Sequence, residues 1–393
     1  MAVPSTPALA AEVDCPHPDL AKPSAPARPV PPADDAEDMA VGGEDLATHG
    51  LIVPDGAKKP PSLTATTWIV ADLDTGEVLG ACGPHVYQTP ASVQKTLLAA
   101  TIIDKLDPEQ KVKVVKSDLK IEENSSAVGI VVGGTYPIST LWLGLLLNSG
   151  NDAANALART AGGGGSDGVA TTVAAMNAKA AAIGAYQTHA VTPSGLDGKG
   201  QFTSAYDLAL IARVCFANAD FRKYVLTETA QMPAQKSLGV GGFQFQNENK
   251  LIYNYPGALG GKTGFTTLAR HSYVGAAEKN GRRLVVTVLG AEAYPKRGWQ
   301  QGAALLDWGF SLKEGSSVGH LVTPEEIAAS KITPTASEEG GTGKVSAAAK
   351  TSRQGMSLLV AGGVAVLLAM IPLLLLLVQR RRRLLARRAP RRH

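Results

Sequence analysis

The sequence predicts an α+β domain in which an antiparallel sheet is flanked by helices and interrupted by an inserted helical subdomain, with one C-terminal transmembrane helix beyond it. Three observations carry this. Hairpin patterns stand at both ends of a unit of roughly 250 residues, apolar stripes of helical period fill its middle, and an uncharged run near the C-terminus is followed at once by arginines. Strands at both ends with helices between them imply one sheet completed by the two ends of the domain.

In chain order, MAVPSTPALAAEVDC opens the sequence, and Ala8-Leu-Ala10 has the small-x-small form of a signal-peptide cleavage site, so residues 1–10 read as the remnant of a signal peptide. Residues 11–63, crowded with proline, alanine and acids and lacking the apolar spacing of a packed element, read as an exposed, disordered arm. The domain follows over 64–315. Trp68 to Leu73 and Glu77 to Ala81 flank Asp74-Thr-Gly76 as a hairpin, and His271 to Ala277 and Arg283 to Leu289 flank Asn280-Gly281 as another. Between them, Ala91 to Leu106 places Val93, Leu97, Leu98, Ile102 and Leu106 on one helical stripe, and Ile138 to Ala161 and Thr203 to Ala217 follow similar patterns. Residues 316–354 are poor in large apolar side chains and read as a juxtamembrane tether.

Met356 to Val378 contains no charge over 23 residues, enough at about 1.5 Å per residue to cross a hydrocarbon core of about 30 Å. Residues 355–378 are therefore expected to span the cell membrane once. The tail, 379–393, holds eight arginines and no acid, so the positive-inside rule keeps it in the cytoplasm and puts the domain outside. The alternative, a tail-anchored cytoplasmic protein, would have to push eight arginines across the bilayer. The net charge of +4 comes from that tail; the rest of the chain is slightly acidic, which argues against a nucleic-acid surface. Cys15, Cys82 and Cys215 cannot all pair within one chain. One bridge is possible in an oxidising compartment, and buried free thiols are the expectation for Cys82 and Cys215. No His-Glu-x-x-His, metal-spaced His cluster or phosphate-cradling glycine loop occurs, so neither metal nor organic cofactor is expected.

Three short motifs stand in order: Ser92-Val-Gln-Lys95, Ser149-Gly-Asn151 and Lys262-Thr-Gly264. Each alone has an ordinary reading, as a helix start, a turn and a glycine-flanked loop. Together they make chemical sense. Residues three apart on a helix are neighbours, so Lys95 can approach the Ser92 hydroxyl. A serine is a weak nucleophile until a base takes its proton, and a lysine can be that base only if burial or a nearby cation, here Lys262, lowers its pKa. The free N–H at the helix start would begin an oxyanion hole, with Phe265 N–H as the second donor, and Gly264 would let a substrate backbone approach an edge strand. Ser117 and Lys120 repeat the first pattern in the lysine-rich KVKVVKSDLKIEE, without a proline-led helix start or an apolar stripe. They are read as a decoy.

This set resembles that of penicillin-binding proteins and class A β-lactamases, with Gly150 at the middle of the second motif. The chain resembles the low-molecular-mass penicillin-binding proteins that act as serine-type D-alanyl-D-alanine carboxypeptidases, over about Ala65 to Phe310. The resemblance includes Asp74-Thr-Gly-Glu-Val-Leu79, Ser149-Gly-Asn-Asp-Ala-Ala154, Pro193-Ser-Gly-Leu-Asp197, Thr203-Ser-Ala-Tyr-Asp-Leu-Ala209, Gly261-Lys-Thr-Gly-Phe-Thr266 and Leu306-Asp-Trp-Gly-Phe310. It implies a β-lactamase/transpeptidase-like fold and a membrane-anchored carboxypeptidase that trims the terminal D-Ala of peptidoglycan stem peptides and is inhibited by β-lactams. It implies Ser92 as acylated nucleophile, Lys95 as its base, Ser149 as proton relay to the leaving amine, Asn151 as holder of Lys95 and substrate, and Lys262 and Thr263 as carboxylate binders. A further carboxylate clamp falls to Arg297, offset by one residue from the family spacing. Two other readings stand beside it. A β-lactamase needs a glutamate-held water, but no Glu occurs from Ser125 to Thr227. An idle wall-binding scaffold would have lost its nucleophile or base, and both are present.

Overall fold

The computed structural model describes residues 12–20 and 26–330. The expected transmembrane run and arginine tail lie outside the described residues, among which no helix is long and apolar enough to cross a membrane.

After a short helix α1 (Ala36–Met39) and strand β1 (Leu51–Ile52), the hairpin β2 (Thr67–Asp72) and β3 (Glu77–Cys82) begins the sheet. Its turn is closed by Asp72, whose Oδ1 accepts the N–H groups of Asp74 and Thr75. Next come a 3-10 turn (Ala91–Gln94), α2 (Lys95–Ile102), β4 (Lys111–Lys113), β5 (Thr135–Pro137), α3 (Ile138–Leu147), α4 (Asn151–Ala161), α5 (Gly168–Ala182), α6 (Ala205–Ala217) and α7 (Ala219–Leu226). The chain returns through the hairpin β6 (Thr229–Met232) and β7 (Phe243–Gln246), then α8 (Leu251–Asn254), to β8 (Ala258–Thr266), β9 (Arg270–Lys279), β10 (Arg282–Ala291) and α9 (Gly298–Ser311), followed by β11 (Gly319–His320) and α10 (Pro324–Ser330).

The main sheet runs β1-β3-β2-β10-β9-β8, with β11 also on β3. Every pairing is antiparallel, and β2 pairs β10 in its centre, so the two ends of the domain do complete one sheet. Asn280 and Gly281 both take left-handed φ, 54° and 79°, as a two-residue turn matching the strand twist requires. The sheet is covered on both faces: Ile69, Ala71 and Val285 join the helical body, while Trp68, Val70 and Val286 pack with Leu305 and Trp308 of α9. Double coverage is why the central strands read as unbroken apolar runs.

The structure departs from expectation at both flanks of the domain. Much of 11–63, expected to be disordered, is docked. The N–H of Leu51 donates to Val13 O, Leu63 N–H to Pro16 O, and the Trp308 indole to Lys58 O, while Leu46 and Leu63 are fully buried. Cys82 is not a free thiol: it is disulfide-bonded to Cys15, with Cα atoms 5.8 Å apart, and Cys215 alone is free and buried. At the other flank, the expected tether begins inside the folded unit, because β11 pairs β3 and Val322 N–H donates to the Tyr206 hydroxyl. These segments satisfy their backbone groups on strands and side chains far away in sequence, which local periodicity cannot register.

Candidate active site

The helix expected from Ala91 starts as the 3-10 turn carrying Ser92, and α2 begins at Lys95 itself. Pro90 fixes the entry, and Ala91 sits at φ 51°, a conformation a non-glycine residue rarely holds. The helical pattern over Ile138 to Ala161 divides into two helices at the second motif, where a turn was the ordinary reading. Asn148 ends α3, Ser149 takes φ 60°, and Asn151 starts α4. Strain of this kind survives only where surroundings fix it, and it turns Ser149 and Asn151 into the same cleft as Ser92.

Lys95 is wholly buried, with Nζ donating to Asn151 Oδ1 at 2.7 Å and Ser194 O at 2.8 Å and lying 2.7 Å from Ser92 Oγ. Burial first, and then the charge of Lys262, hold its pKa well below the ordinary lysine value; Asp152 opposes them. Lys262, on β8, is also buried, donates to Thr263 O at 2.7 Å, and is pushed down to about 8 by burial against the opposing charge of Glu248.

Gly264 has a different reason from the one expected. A Cβ there would lie 2.9 Å from Ser92 N and 3.0 Å from Val93 N, so it is the serine turn itself, not a substrate backbone alone, that approaches β8. Phe265 is half exposed at the rim, its ring 4.7 Å from that of His271. Arg297, exposed at the start of α9, borders the same cleft, about 1050 Å³ in volume, as Ser92, Ser149, Asn151 and Thr263. Ser117 and Lys120 are exposed on a separate 3-10 turn, whose buried residue Asp118 pairs with Arg159 at 2.7 Å. That motif is structural.

Sequence reasoning assigned no role to the carbonyl of Ser194, although it noted the motif. The loop is held by Gln201, whose Oε1 accepts the N–H groups of Val191 and Thr192 and the Gln94 amide, and by Asp197, whose Oδ1 accepts the Thr266 hydroxyl at 2.8 Å. It thereby ties the serine helix to β8. The Pro193-Ser-Gly195 turn was the available signal; the burial of Gln201 was not.

A serine touching a buried lysine, at the foot of an edge strand in an antiparallel sheet with an inserted helical body, defines a serine hydrolase of the penicillin-binding, transpeptidase-like fold. Comparison with known proteins narrows this. The family model for D-alanyl-D-alanine carboxypeptidases matches residues 55–293, and the chain belongs to that family. It is 44% identical to the D-alanyl-D-alanine carboxypeptidase DacB2 of Mycobacterium tuberculosis over 278 residues, 69% of this chain and 90% of that one. It is 33% identical to DacD of Salmonella typhimurium over 264 residues, 64% of each. Among solved structures, a D-alanyl-D-alanine carboxypeptidase of M. tuberculosis superposes with a TM-score of 0.64 at 43% identity, covering 69% of this chain and all of that one. A Streptomyces DD-transpeptidase superposes with a TM-score of 0.61 at 27% identity, over 65% of this chain and all of that one.

Proposed function

We propose that this serine-type carboxypeptidase removes the terminal D-alanine from peptidoglycan stem peptides through an acyl-enzyme on Ser92. The carrying observation is the 2.7 Å contact between Ser92 Oγ and a buried lysine whose pKa burial and Lys262 hold well below the ordinary value. With two of its hydrogens on Asn151 Oδ1 and Ser194 O, a neutral Lys95 keeps its lone pair for the serine proton. Oγ attacks the carbonyl of the penultimate D-Ala while the proton passes to Lys95. The oxyanion is received by the N–H groups of Ser92 and Phe265, which the contact of Gly264 with the serine turn brings near each other. Collapse breaks the peptide bond, the leaving amine takes a proton through Ser149, and water then cleaves the ester. Asn151 steadies Lys95 and the substrate amide. Lys262, Thr263 and Arg297 receive the terminal carboxylate, the first as a buried cation.

A β-lactam presents the same carboxylate and a strained amide, so the enzyme is a penicillin target that forms a lasting ester. Residues 356–378 anchor it as a single-pass protein of the cell membrane, with its domain facing the wall and its arginines in the cytoplasm, where trimming limits cross-linking. Intact mass spectrometry after penicillin treatment tests the core of this. An adduct on wild type and Ser117→Ala, absent from Ser92→Ala, together with D-alanine release from a peptide ending in D-Ala-D-Ala, is expected. Drug consumed without an adduct would make it a β-lactamase, and drug left whole would make it an idle scaffold.

A further inference from the structure

Asp152 follows Asn151 at the start of α4 and is completely buried. Its carboxylate is turned into the protein and does not line the cleft. Oδ1 accepts the N–H of Val128 at 2.9 Å and of Ala153 at 2.9 Å; Oδ2 accepts those of Gly129 at 2.8 Å and Ile130 at 3.2 Å. Three consecutive loop amides thus converge on one side chain, a pattern that costs about the full desolvation of each group if the acceptor is removed. The same loop accepts the Asn151 N–H on Ser126 O at 2.9 Å, and just upstream it forms one wall of the cleft through Glu122, Glu123 and Ser126. Gly150 is pressed into the junction: a Cβ there would lie 2.7 Å from Asp152 Oδ1 and 3.0 Å from Val128 N.

We propose that Asp152 is a positioning residue for the reaction: by clamping the amides of Val128, Gly129 and Ile130 it locks the cleft wall to the start of α4, holding Ser149 in its left-handed conformation and Asn151 Oδ1 on Lys95. The inference rests on the function proposed above for Lys95 and Asn151. A carboxylate is needed because all four incoming groups are donors. In Asp152→Asn the amide nitrogen would confront two N–H groups whichever way it is turned, so half of the clamp is lost without a change of shape. A charge effect accompanies the mechanical one. The groups that act electrostatically on Lys95 are Lys262 from β8, which favours the neutral amine, and Asp152 from α4, which favours the charged one. Removing the Asp152 charge therefore moves the acidic limb of the Lys95-dependent rate to lower pH, although the loosened wall lowers the rate itself.

Two measurements on the full chain test this. In the wild type, hydrogen exchange should find the amides of Val128, Gly129 and Ile130 protected as strongly as those of α4; rapid exchange at these three would overturn the clamp, and this needs no variant and no substrate. Asp152→Asn should lower kcat for D-alanine release from a D-Ala-D-Ala peptide about 10–100-fold, by more than it raises KM because the carboxylate binders are untouched and only the Asn151 contact to the substrate is loosened, and shift the acidic limb downward. A variant with wild-type kcat and an unmoved limb would also overturn it. If the variant does not fold, the exchange result decides alone. A wild-type enzyme that releases no D-alanine would strike the proposed function, whereas the clamp is still judged by exchange.

Discussion

Lys95 and Lys262 are two buried lysines of one small site to which the proposed mechanism gives opposite tasks. Burial and the neighbouring cation hold the pKa of Lys95 well below the ordinary lysine value, while Lys262 is pushed down to about 8 and keeps its proton at neutral pH. On the mechanism proposed above, penicillin acylation needs a deprotonated Lys95 and a protonated Lys262, so its rate should rise through the lowered pKa of Lys95 and fall above about pH 8 as Lys262 loses its charge. In Lys262→Arg the guanidinium stays protonated, and the alkaline fall, about tenfold per pH unit in the wild type, should disappear up to about pH 10. A stopped-flow pH profile showing the same fall in both proteins would exclude Lys262 as its source. The pairing of these lysines was legible in the sequence, since motif chemistry demands a cation near the base. The third partner of Lys95 was not, because Ser194 contributes a backbone carbonyl, which any residue type could supply.

At the scale of elements, the site is made by interruptions: a 3-10 start before α2, a left-handed serine between α3 and α4, and a glycine in β8 where strand meets turn. The apolar periodicity halts at the polar run Asn148 to Asp152, and Ser149-Gly-Asn151 was readable there as a turn between helices. What hydropathy could not show is the left-handed φ at Ser149 that aims the motif into the cleft. Gly264→Ala places a methyl against backbone nitrogens at 2.9 and 3.0 Å, and backbone cannot yield as a flexible side chain would. Acylation should fall about 100-fold, and Tm should fall as well, because relieving the contact shifts β8 or the serine turn. Gly281→Ala supplies the contrast: its Cβ meets nothing within 4 Å, but φ is 79°, so stability should drop by about 1 kcal/mol and acylation should hold. Equal rates in the two variants would show that the approach of β8 to Ser92 is not needed for reaction.

For the whole molecule, the hairpins and the sheet completed by both ends of the domain were readable because strand patterns and turn residues are local. The docked N-terminal segment was not, since its partners are distant and its composition is that of a disordered chain. The Cys15–Cys82 bridge, across 67 residues, fastens that segment to β3. Cys15→Ser with Cys82→Ser should cost up to about 4 kcal/mol by loop-closure entropy, read as a lower midpoint in urea; an unchanged midpoint would mean that docking alone holds the segment. The central pairing of β2 with β10 has a consequence of another kind. Arg282 and Asp72, ion-paired across it at 3.1 Å, stand 210 residues apart. During synthesis at about 5–20 residues per second, β2 waits on the order of 10–40 s for its partner, and the strand bearing Lys262 comes off the ribosome only near the end of that interval. The nascent chain is therefore exposed and chemically inert until its last strands arrive, so its birth, unlike its mature life, depends on whatever shields an unpaired strand in the meantime.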